Sequence, residues 1–148
     1  MNVAYKEALE GMNANDGGPF GAAIVHNEKV IATAHNEVLK TNDPTAHAEV
    51  NAIRKASQLL GRFDLSDCIL YTTCYPCPMC MGAIFWARIP TVYYASSMED
   101  AAKGGFDDRV FYEMIRHPET ALDLRPIDAE NGKELFAKWQ EKEDRLLY

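Results

Sequence analysis

The sequence predicts a three-layer α/β/α fold built around one mixed, five-stranded sheet. Three observations support this prediction: strand-like and helix-like segments alternate along the chain, a two-residue turn separates the first two strand-like runs, and a later run is apolar throughout. The chain has 148 residues, a length at which a single domain buries about two-thirds of the surface that its unfolded form exposes. We therefore expect one domain over residues 1–148.

The N-terminal half predicts a helix, a hairpin and a second helix. Apolar residues recur at helical spacing from Val3 to Met12, and the stretch NDGGP ends that helix. FGAAIVH and KVIATAHN are β-rich runs joined by the polar pair NE, a pattern that predicts an antiparallel hairpin. A second apolar helix face begins at His47 and ends at Gly61, whose glycine suits a helix C-terminus.

The C-terminal half predicts three more strands and three more helices. DCILYTT reads as a buried strand, PMCMGAIFWAR as a helix that Pro90 ends, and TVYYAS as a central strand in a parallel position. A helix over Arg109–Arg116, a fifth strand near DLRPI and a charged helix from Lys133 follow. We expect four apolar residues of this last segment to face inward: Leu135, Phe136, Trp139 and Leu146.

Composition and charge restrict the classes of function. The formal net charge of -7 argues against a long nucleic-acid footprint, which needs clustered Lys and Arg, and favours a compact substrate. The sequence has neither a basic, then apolar N-terminus nor an apolar run long enough to span a membrane, so we expect a cytoplasmic protein. In that reducing compartment, four cysteines favour metal binding or catalysis over disulfides.

The stretches PTAHAEV and PCPMC contain the residue types that bind zinc. His47 offers a neutral imidazole nitrogen, and Cys77 and Cys80 offer thiolates from one face at the start of a helix. Cys74 precedes that helix at the end of a strand, and we expect it not to be a ligand. The sequence therefore predicts a Zn²⁺ site with three protein ligands and one open coordination position.

The spacing of His47 and Glu49 predicts a helix that points end-on at this metal. In a helix interior the two side chains would lie about 200° apart around the axis, but at the first turn both can lean over the N-terminus. Glu49 can then move protons beside the open position. The alternative is a closed structural site with Cys74 as fourth ligand, which leaves Glu49 without a purpose. H-x-E followed by P-C-x-x-C is the signature of zinc-dependent nucleobase deaminases.

Several stretches between Gly17 and Asp108 together resemble the bacterial guanine deaminases of the cytidine-deaminase superfamily: GGPFGAAIV, HN, NDPTAHAEVNAIRKA, CILYTTCYPCPMCMGAIFWAR and AAKGGFDD. HAE with PCPMC is shared across the superfamily, whereas GFDD and a terminal Tyr favour guanine. The resemblance implies a cytidine-deaminase-like fold and zinc-dependent, hydrolytic deamination of guanine to xanthine and ammonia. It assigns His47, Cys77 and Cys80 to zinc and Glu49 to proton transfer.

The resemblance also implies a set of substrate-binding residues. Asn36 would bind the ring, Phe20 would stack on the base and Trp86 would line the pocket. The backbone N–H of Ala48 would bind an acceptor on the base, and Asp108 would accept hydrogen bonds from ring N–H groups. Structural alternatives stay open, because Asn36 can satisfy a turn and Asp108 can cap the following helix. Phe20 and Trp86 can likewise fill a core or a helix face.

In the resembling enzymes the C-terminal segment, about residues 118–148, crosses to a second subunit. The resemblance therefore implies a domain-swapped homodimer in which Tyr148 closes the pocket of the partner. Leu146 and Leu147 fit this interpretation, because they form an apolar end on a charged helix and need a surface to dock on. The alternative is docking onto the core of the same subunit.

Three rival functions stay open at this stage. A tRNA adenosine deaminase shares the zinc motif but needs a basic surface for the anticodon arm. A deaminase of cytosine or of a triazine amine also fits, because a small pocket that accepts the amidine edge of guanine could accept an ammeline-like ring. A zinc-stabilised binding module, which is not an enzyme, survives only if Glu49 is dispensable.

Overall fold

A computed structural model of the chain describes residues 1–147, which divide into a larger unit, residues 1–109, and a smaller unit beginning at Val110. The strands are β1 Gly21–His26, β2 Lys29–His35, β3 Cys68–Cys74 and β4 Thr91–Ser96. The helices are α1 Asn2–Asn13, α2 Val38–Thr41, α3 Ala48–Leu60, α4 Pro78–Trp86, α5 Met98–Lys103, α6 Arg109–Arg116 and α7 Ala129–Glu141. Within this part of the chain, no helix is long and apolar enough to cross a membrane.

The sheet is mixed, as the sequence predicts, with strand order β2-β1-β3-β4. β1 runs antiparallel to both β2 and β3, and β4 runs parallel to β3. Asn27 and Glu28 form the turn of the predicted hairpin, and both adopt left-handed backbone conformations, with φ of 48° and 62°. Two left-handed residues in a two-residue turn match the right-handed twist of the strands that they join.

Helices α1 and α3 cover opposite faces of the sheet. Ala22 of β1 belongs to the hydrophobic core together with Ala48 and Ala52 of α3. The neighbouring Gly21 faces α1, so closely that a Cβ atom there would lie 2.1 Å from the carbonyl oxygen of Ala4. Because adjacent strand residues point to opposite faces, the two helices enclose the sheet between them. The predicted three-layer architecture is confirmed.

Strand β4 is an edge strand in the described residues, so the prediction of a central position is wrong. Its side chains Tyr93 and Tyr94 are each 51% exposed. The fifth strand expected near DLRPI does not form, because residues 123–127 join no ladder and Pro126 lacks the N–H that pairing would need. The described sheet therefore has four strands and not five.

The smaller unit leaves its apolar side chains exposed. Leu135, Phe136, Trp139 and Leu146, which we expected to face inward, all have large exposed fractions, and that of Phe136 is 71%. A unit of this length has too few residues to enclose a core of its own. These residues can be buried only against another surface.

Candidate active site

His47, Cys77 and Cys80 come together where α3 and α4 begin. Nδ1 of His47 lies 3.5 Å from Sγ of Cys77 and 3.5 Å from Sγ of Cys80. The three donor atoms all lie within 4.8 Å of one another. A tetrahedral zinc ion with bonds of about 2.3 Å to sulfur and about 2.1 Å to nitrogen separates these atoms by about 3.6 Å. The cluster therefore has the dimensions of a zinc site.

Local structure explains why both helices begin at donor residues. His47 is the N-cap of α3, and its extended backbone turns the chain into the helix. Cys77 is the N-cap of α4, where its Sγ accepts a hydrogen bond from the backbone N–H of Cys80 and Pro78 occupies the first turn. Two helix N-termini thus meet at the cluster. Their partial positive charges favour thiolate there.

The two thiols of the cluster differ in acidity. Hydrogen bonds from Cys80 and His47 lower the pKa of Cys77 to about 4. The neighbouring Cys77 and burial raise the pKa of Cys80. The hydrogen bond with Cys77 raises the pKa of His47. Without a metal, Cys77 is therefore the group of the cluster whose thiol loses its proton most easily.

Cys74 lies outside the cluster. Its buried Sγ is 3.7 Å from the carbonyl oxygen of Ser97, and burial raises the pKa of this thiol to about 11. Among the described residues, the cluster of potential ligands contains His47, Cys77 and Cys80 without Cys74. This arrangement weighs against a closed site with four protein ligands.

Glu49 lies beside the cluster as a buried carboxyl group. It belongs to the first turn of α3 and is only 5% exposed. Its Oε1 accepts a hydrogen bond of 3.0 Å from Oγ1 of Thr72, and its Oε2 lies 3.4 Å from Sγ of Cys80. Burial raises the pKa of Glu49, and hydrogen bonds from its own backbone N–H and from Thr72 act in the opposite direction. Its raised pKa makes this carboxyl group easier to protonate than an exposed one, which suits a group that takes up and gives up a proton.

Asn36 is buried at the end of β2, and its amide has a fixed orientation. Its Oδ1 accepts from the backbone N–H groups of Gly18, at 3.4 Å, and Val38, at 3.2 Å. The Nδ2 group makes no hydrogen bond to another described residue, so its N–H groups are available to a ligand. A Cβ atom on Gly17 would lie 2.0 Å from this Oδ1, so the close approach requires glycine. Asn36 satisfies a turn and still offers donors.

Asp108 shares the electrostatic environment of the cluster. Burial, followed by the charge of Cys77, raises its pKa, and His47 is among the groups that act on it. The residue directly precedes α6, but Oδ1 of the neighbouring Asp107 accepts from the backbone N–H of Arg109 at 3.2 Å. Asp107 thus binds the first N–H of the helix, and the carboxylate of Asp108 lies near the metal-binding residues.

Phe20 packs against a residue of the Gly-Gly loop. Its ring meets that of Phe106 edge to face, with centroids 4.9 Å apart, and it also contacts the hydrophobic core. Both rings line a cavity of about 400 Å³ together with Thr73 and Cys74. This contact anchors the loop that carries Asp108. Phe20 is therefore packed against the core on one side and lines a cavity on the other, and its stacking on a base stays a prediction.

Three predicted substrate-binding residues remain: Ala48, Trp86 and Tyr148. Ala48 is the first residue of α3 and is fully buried, so its backbone N–H belongs to the free N–H groups at a helix start. Trp86 ends α4 with its side chain 68% exposed, so it does not fill a core. The role predicted for Tyr148 lies outside the described residues.

A second group of potential ligands, Asp16, His35 and Glu37, forms an ion network instead of a metal site. Nζ of Lys40 lies 3.0 Å from Asp16 and 2.9 Å from Glu37, and these partners raise the pKa of Lys40 to about 12. The two ring nitrogens of His35 contact carboxylates of Glu7 and Asp16. The chain's own ammonium group therefore supplies the cation, and the network holds the residues on either side of Asn36.

Comparison with known proteins agrees with this geometry. Residues 1–96, which include the three donors of the cluster, match the family model of the cytidine and deoxycytidylate deaminase zinc-binding region. The chain belongs to this deaminase family. Within the family, it is 59% identical to guanine deaminase of Bacillus subtilis (strain 168), over 100% of the chain and 96% of that protein.

A solved structure of this Bacillus subtilis enzyme and one further relative add to the comparison. The X-ray structure of guanine deaminase from Bacillus subtilis matches with a TM-score of 0.95 and 47% identity, covering 99% of this chain and 95% of that one. The tRNA-specific adenosine deaminase of Agrobacterium fabrum (strain C58 / ATCC 33970) is 42% identical, over 96% of the chain and 93% of that protein. The family thus contains both enzymes that act on a free base and enzymes that act on tRNA.

Three residues beside this deaminase site were missed by the sequence analysis. Thr72 contacts Glu49 across 23 positions of sequence, and Gly17 makes room for the side chain of Asn36. Phe106 lies in GGFDD, a stretch that the resemblance includes, but its contact with Phe20 could not be inferred without the fold. No spacing rule in the sequence identifies the first two.

Proposed function

We propose that this chain catalyses the hydrolytic deamination of guanine to xanthine and ammonia. One observation carries the proposal: a buried carboxyl group, Glu49, lies beside a cluster of three zinc-type donors without being one of them. A structural zinc site has no use for such a group, whereas a hydrolytic site needs one to move protons. Guanine is favoured because the guanine deaminase of Bacillus subtilis is similar over the full length of the chain.

The donor set fits Zn²⁺ in residue type and spacing. His47, Cys77 and Cys80 would hold the ion, and the distances of 3.5 Å from nitrogen to each sulfur suit tetrahedral binding. When bound, zinc would lower the pKa of the water that attacks C2 and so supply a nucleophile at neutral pH. One neutral imidazole and two thiolates cancel the charge of the ion, which increases the need for a separate proton acceptor.

Glu49 is the group that moves protons in this proposal. It takes a proton from the attacking water and passes it to the ring nitrogen beside C2 of guanine. It then takes the second proton of that water, from the new hydroxyl on C2, and delivers it to the departing amine, which leaves as ammonia. Oε2 is suited to this transfer because Thr72 already occupies Oε1. The raised pKa of Glu49 brings it closer to the pH at which a carboxyl group can serve as both base and acid.

Binding of guanine is assigned to groups around the cluster. Asn36 donates from Nδ2 to an acceptor of the base, and the backbone N–H of Ala48 donates to a second acceptor. Asp108 accepts from ring N–H groups, which guanine presents on an edge that adenine and cytosine do not share. Trp86 lines the pocket, and Phe20 stacks on the base. The orientation of the Asn36 amide and the environment of Asp108 support these assignments.

Asp108→Ala is expected to reduce kcat/KM for guanine by about ten- to a hundredfold, because a charged hydrogen-bond acceptor for the base is lost. The melting temperature should change little. Asp107→Ala is the matched control, since its carboxylate binds Arg109 at 2.6 and 2.7 Å. Steady-state kinetics and thermal melts of both variants distinguish a role of Asp108 in substrate binding from a structural role. A lower melting temperature with unchanged kinetics for Asp108→Ala would make it a structural residue.

Zinc affinity is expected to fall as the pH falls, because metal binding must remove protons from the cluster. The pKa values of His47 and Cys80 are raised, so both groups hold protons to higher pH than usual and compete with zinc. Between pH 8 and pH 6 the dissociation constant should rise by at least about a hundredfold, or about tenfold per pH unit for each proton released. Chelator competition, corrected for protonation of the chelator, measures this dependence. An affinity independent of pH contradicts the protonation states assigned to the cluster.

The tRNA adenosine deaminase is the main rival, since one from Agrobacterium fabrum is 42% identical to the chain. A net charge of -7 disfavours binding of an anticodon arm. Two other rivals remain as outcomes of the experiments: a deaminase of cytosine or a triazine amine, and a zinc-stabilised binding module.

Incubation of the zinc-loaded protein with guanine tests the proposal, because xanthine and ammonia should form in equal amounts. Unchanged guanine at micromolar enzyme would contradict it.

The proposal also covers the oligomeric state of the protein and its cellular compartment. We propose a homodimer in which the segment of about residues 118–148 crosses to the partner subunit and Tyr148 closes the pocket there. The exposed apolar side chains of α7 support a docking role for this segment. A cytoplasmic location is supported by four free cysteines, which a reducing compartment maintains.

A further inference from the structure

We propose that Thr72 is a positioning residue for Glu49, whose hydroxyl binds one carboxylate oxygen and so leaves the other for proton transfer. This inference rests on the proposed function, in which Glu49 moves the protons. It adds a residue of the central strand to a site that otherwise consists of helix starts and loops. The pattern of zinc-type residues in the sequence does not include it.

The contact joins two rigid elements inside the larger unit. Thr72 is the fifth residue of β3 and is 1% exposed, with β-sheet partners on both sides, Ala22 of β1 and Tyr94 of β4. Its Oγ1 lies 3.0 Å from Oε1 of Glu49, which α3 carries. The sheet holds Thr72 in place, so rotation of the Glu49 carboxylate would break this hydrogen bond. The hydroxyl therefore fixes the position of Oε1.

A carboxylate needs such a partner because its last torsion is soft. The final torsion of a glutamate side chain is broad and roughly two-fold, so the two oxygens exchange places easily. With Oε1 held by Thr72, Oε2 is directed to the side of Cys80, 3.4 Å from its Sγ. The oxygen proposed to move protons thus faces the cluster. Catalysis depends strongly on such orientation.

The neighbouring threonine provides an internal comparison. Thr73 points to the opposite face of the sheet, where its Oγ1 accepts a hydrogen bond of 3.1 Å from the backbone N–H of Gly21. Both threonines are buried on the same strand, and each makes one hydrogen bond to a partner far away in sequence. Only Thr72 contacts the proposed proton carrier. Loss of the Thr73 hydroxyl should therefore affect stability and not chemistry.

The experiment compares Thr72→Val, Thr72→Ser and Thr73→Val with the zinc-loaded wild-type protein. Valine keeps the branched shape without the hydroxyl, and serine restores the hydroxyl without the methyl group. We expect Thr72→Val to lower kcat about tenfold with KM within about twofold of wild type, since one hydrogen bond to a charged group is lost. Thr72→Ser should recover kcat to within about threefold. Thr73→Val should lower the melting temperature and leave kcat within about twofold.

Bound zinc and the melting temperature are measured on each variant, and kinetics are measured well below melting. A wild-type kcat in Thr72→Val, or an equal loss in Thr73→Val, overturns the proposal. So does a loss of activity in proportion to a loss of zinc. If valine packs too poorly to fold, Thr72→Ala removes the hydroxyl and supplies the same comparison. If guanine is inert and another base is deaminated, the proposed function fails, and the variants are compared on that base.

Discussion

Replacing Glu49 with glutamine is expected to reduce kcat for guanine by about a thousandfold or more, because general acid and base catalysis is lost. Glutamine has nearly the same shape and still accepts a hydrogen bond from Thr72, so the fold should be kept. Bound zinc should also be kept, because Glu49 is not one of the three proposed ligands. Ammonia release, zinc content and the melting temperature are measured on one preparation.

The matched control is Glu10→Gln, the same change at an exposed position of α1, where Glu10 pairs with Lys6 at 3.6 Å. It should retain wild-type kinetics. A Glu49→Gln protein that turns guanine over at nearly the normal rate would remove Glu49 from the mechanism. Loss of zinc from that variant would instead show that Glu49 contributes to metal binding, and the proposed division between ligands and proton carrier would be wrong.

Removing Leu146, Leu147 and Tyr148 is expected to leave a folded, zinc-loaded protein whose guanine turnover is reduced by at least about a hundredfold. The reason is the proposed closure of each pocket by the tail of the partner. Leu146 and Leu147 are highly exposed in the single chain, so their removal should cost little core packing. A phenol at the pocket mouth would hydrogen-bond the base and exclude water.

Mixing this truncated protein with full-length Glu49→Gln tests whether the tail acts across subunits. The truncated chain has an intact site without a tail, and the Glu49→Gln chain has a tail without a working site. Random exchange of equal amounts makes about half of the dimers mixed, so about a quarter of all sites should regain activity. A tail that acts within its own chain predicts no recovery once subunit exchange has been demonstrated by labelled subunits.

The regular elements of the larger unit could be predicted because their periodicity and end signals agree. α1, the hairpin, α3 and β3 appear at the expected places, and Gly61 ends α3 in a left-handed conformation with φ of 64°. α5 was missed because six residues are too few to show periodicity, although its capping box between Ser97 and Asp100 is visible in the sequence as SMED.

The apolar pattern alone could not predict that β4 lies at the edge of the sheet or that the apolar side chains of the smaller unit are exposed. An apolar run such as TVYYAS shows that its side chains need cover, but not whether the same chain provides it. Tyr93 and Phe136 illustrate this limit, since both were expected to be buried and both are exposed in the single chain. Burial against a second molecule leaves the same signal in a sequence as burial in a core.

The metal-binding part of the site could be predicted because its chemistry is restricted to few residue types. His47, Cys77 and Cys80 lie at helix starts, where short spacing in sequence translates directly into proximity. Thr72 and Gly17 act on residues 23 and 19 positions away, so their roles depend on how the strands align. Threonine and glycine are also common in strands and turns for purely structural reasons.

The most direct test of the central claim is a screen for ammonia release from guanine, adenine, cytosine, cytidine and a tRNA anticodon stem, each with the same zinc-loaded protein. We expect guanine to be deaminated with the highest kcat/KM and the tRNA stem to be inert, consistent with a net charge of -7. Glu49→Gln is included as the inactive reference for each substrate. Turnover of cytosine or of the tRNA stem, with guanine left unchanged, would contradict the assignment.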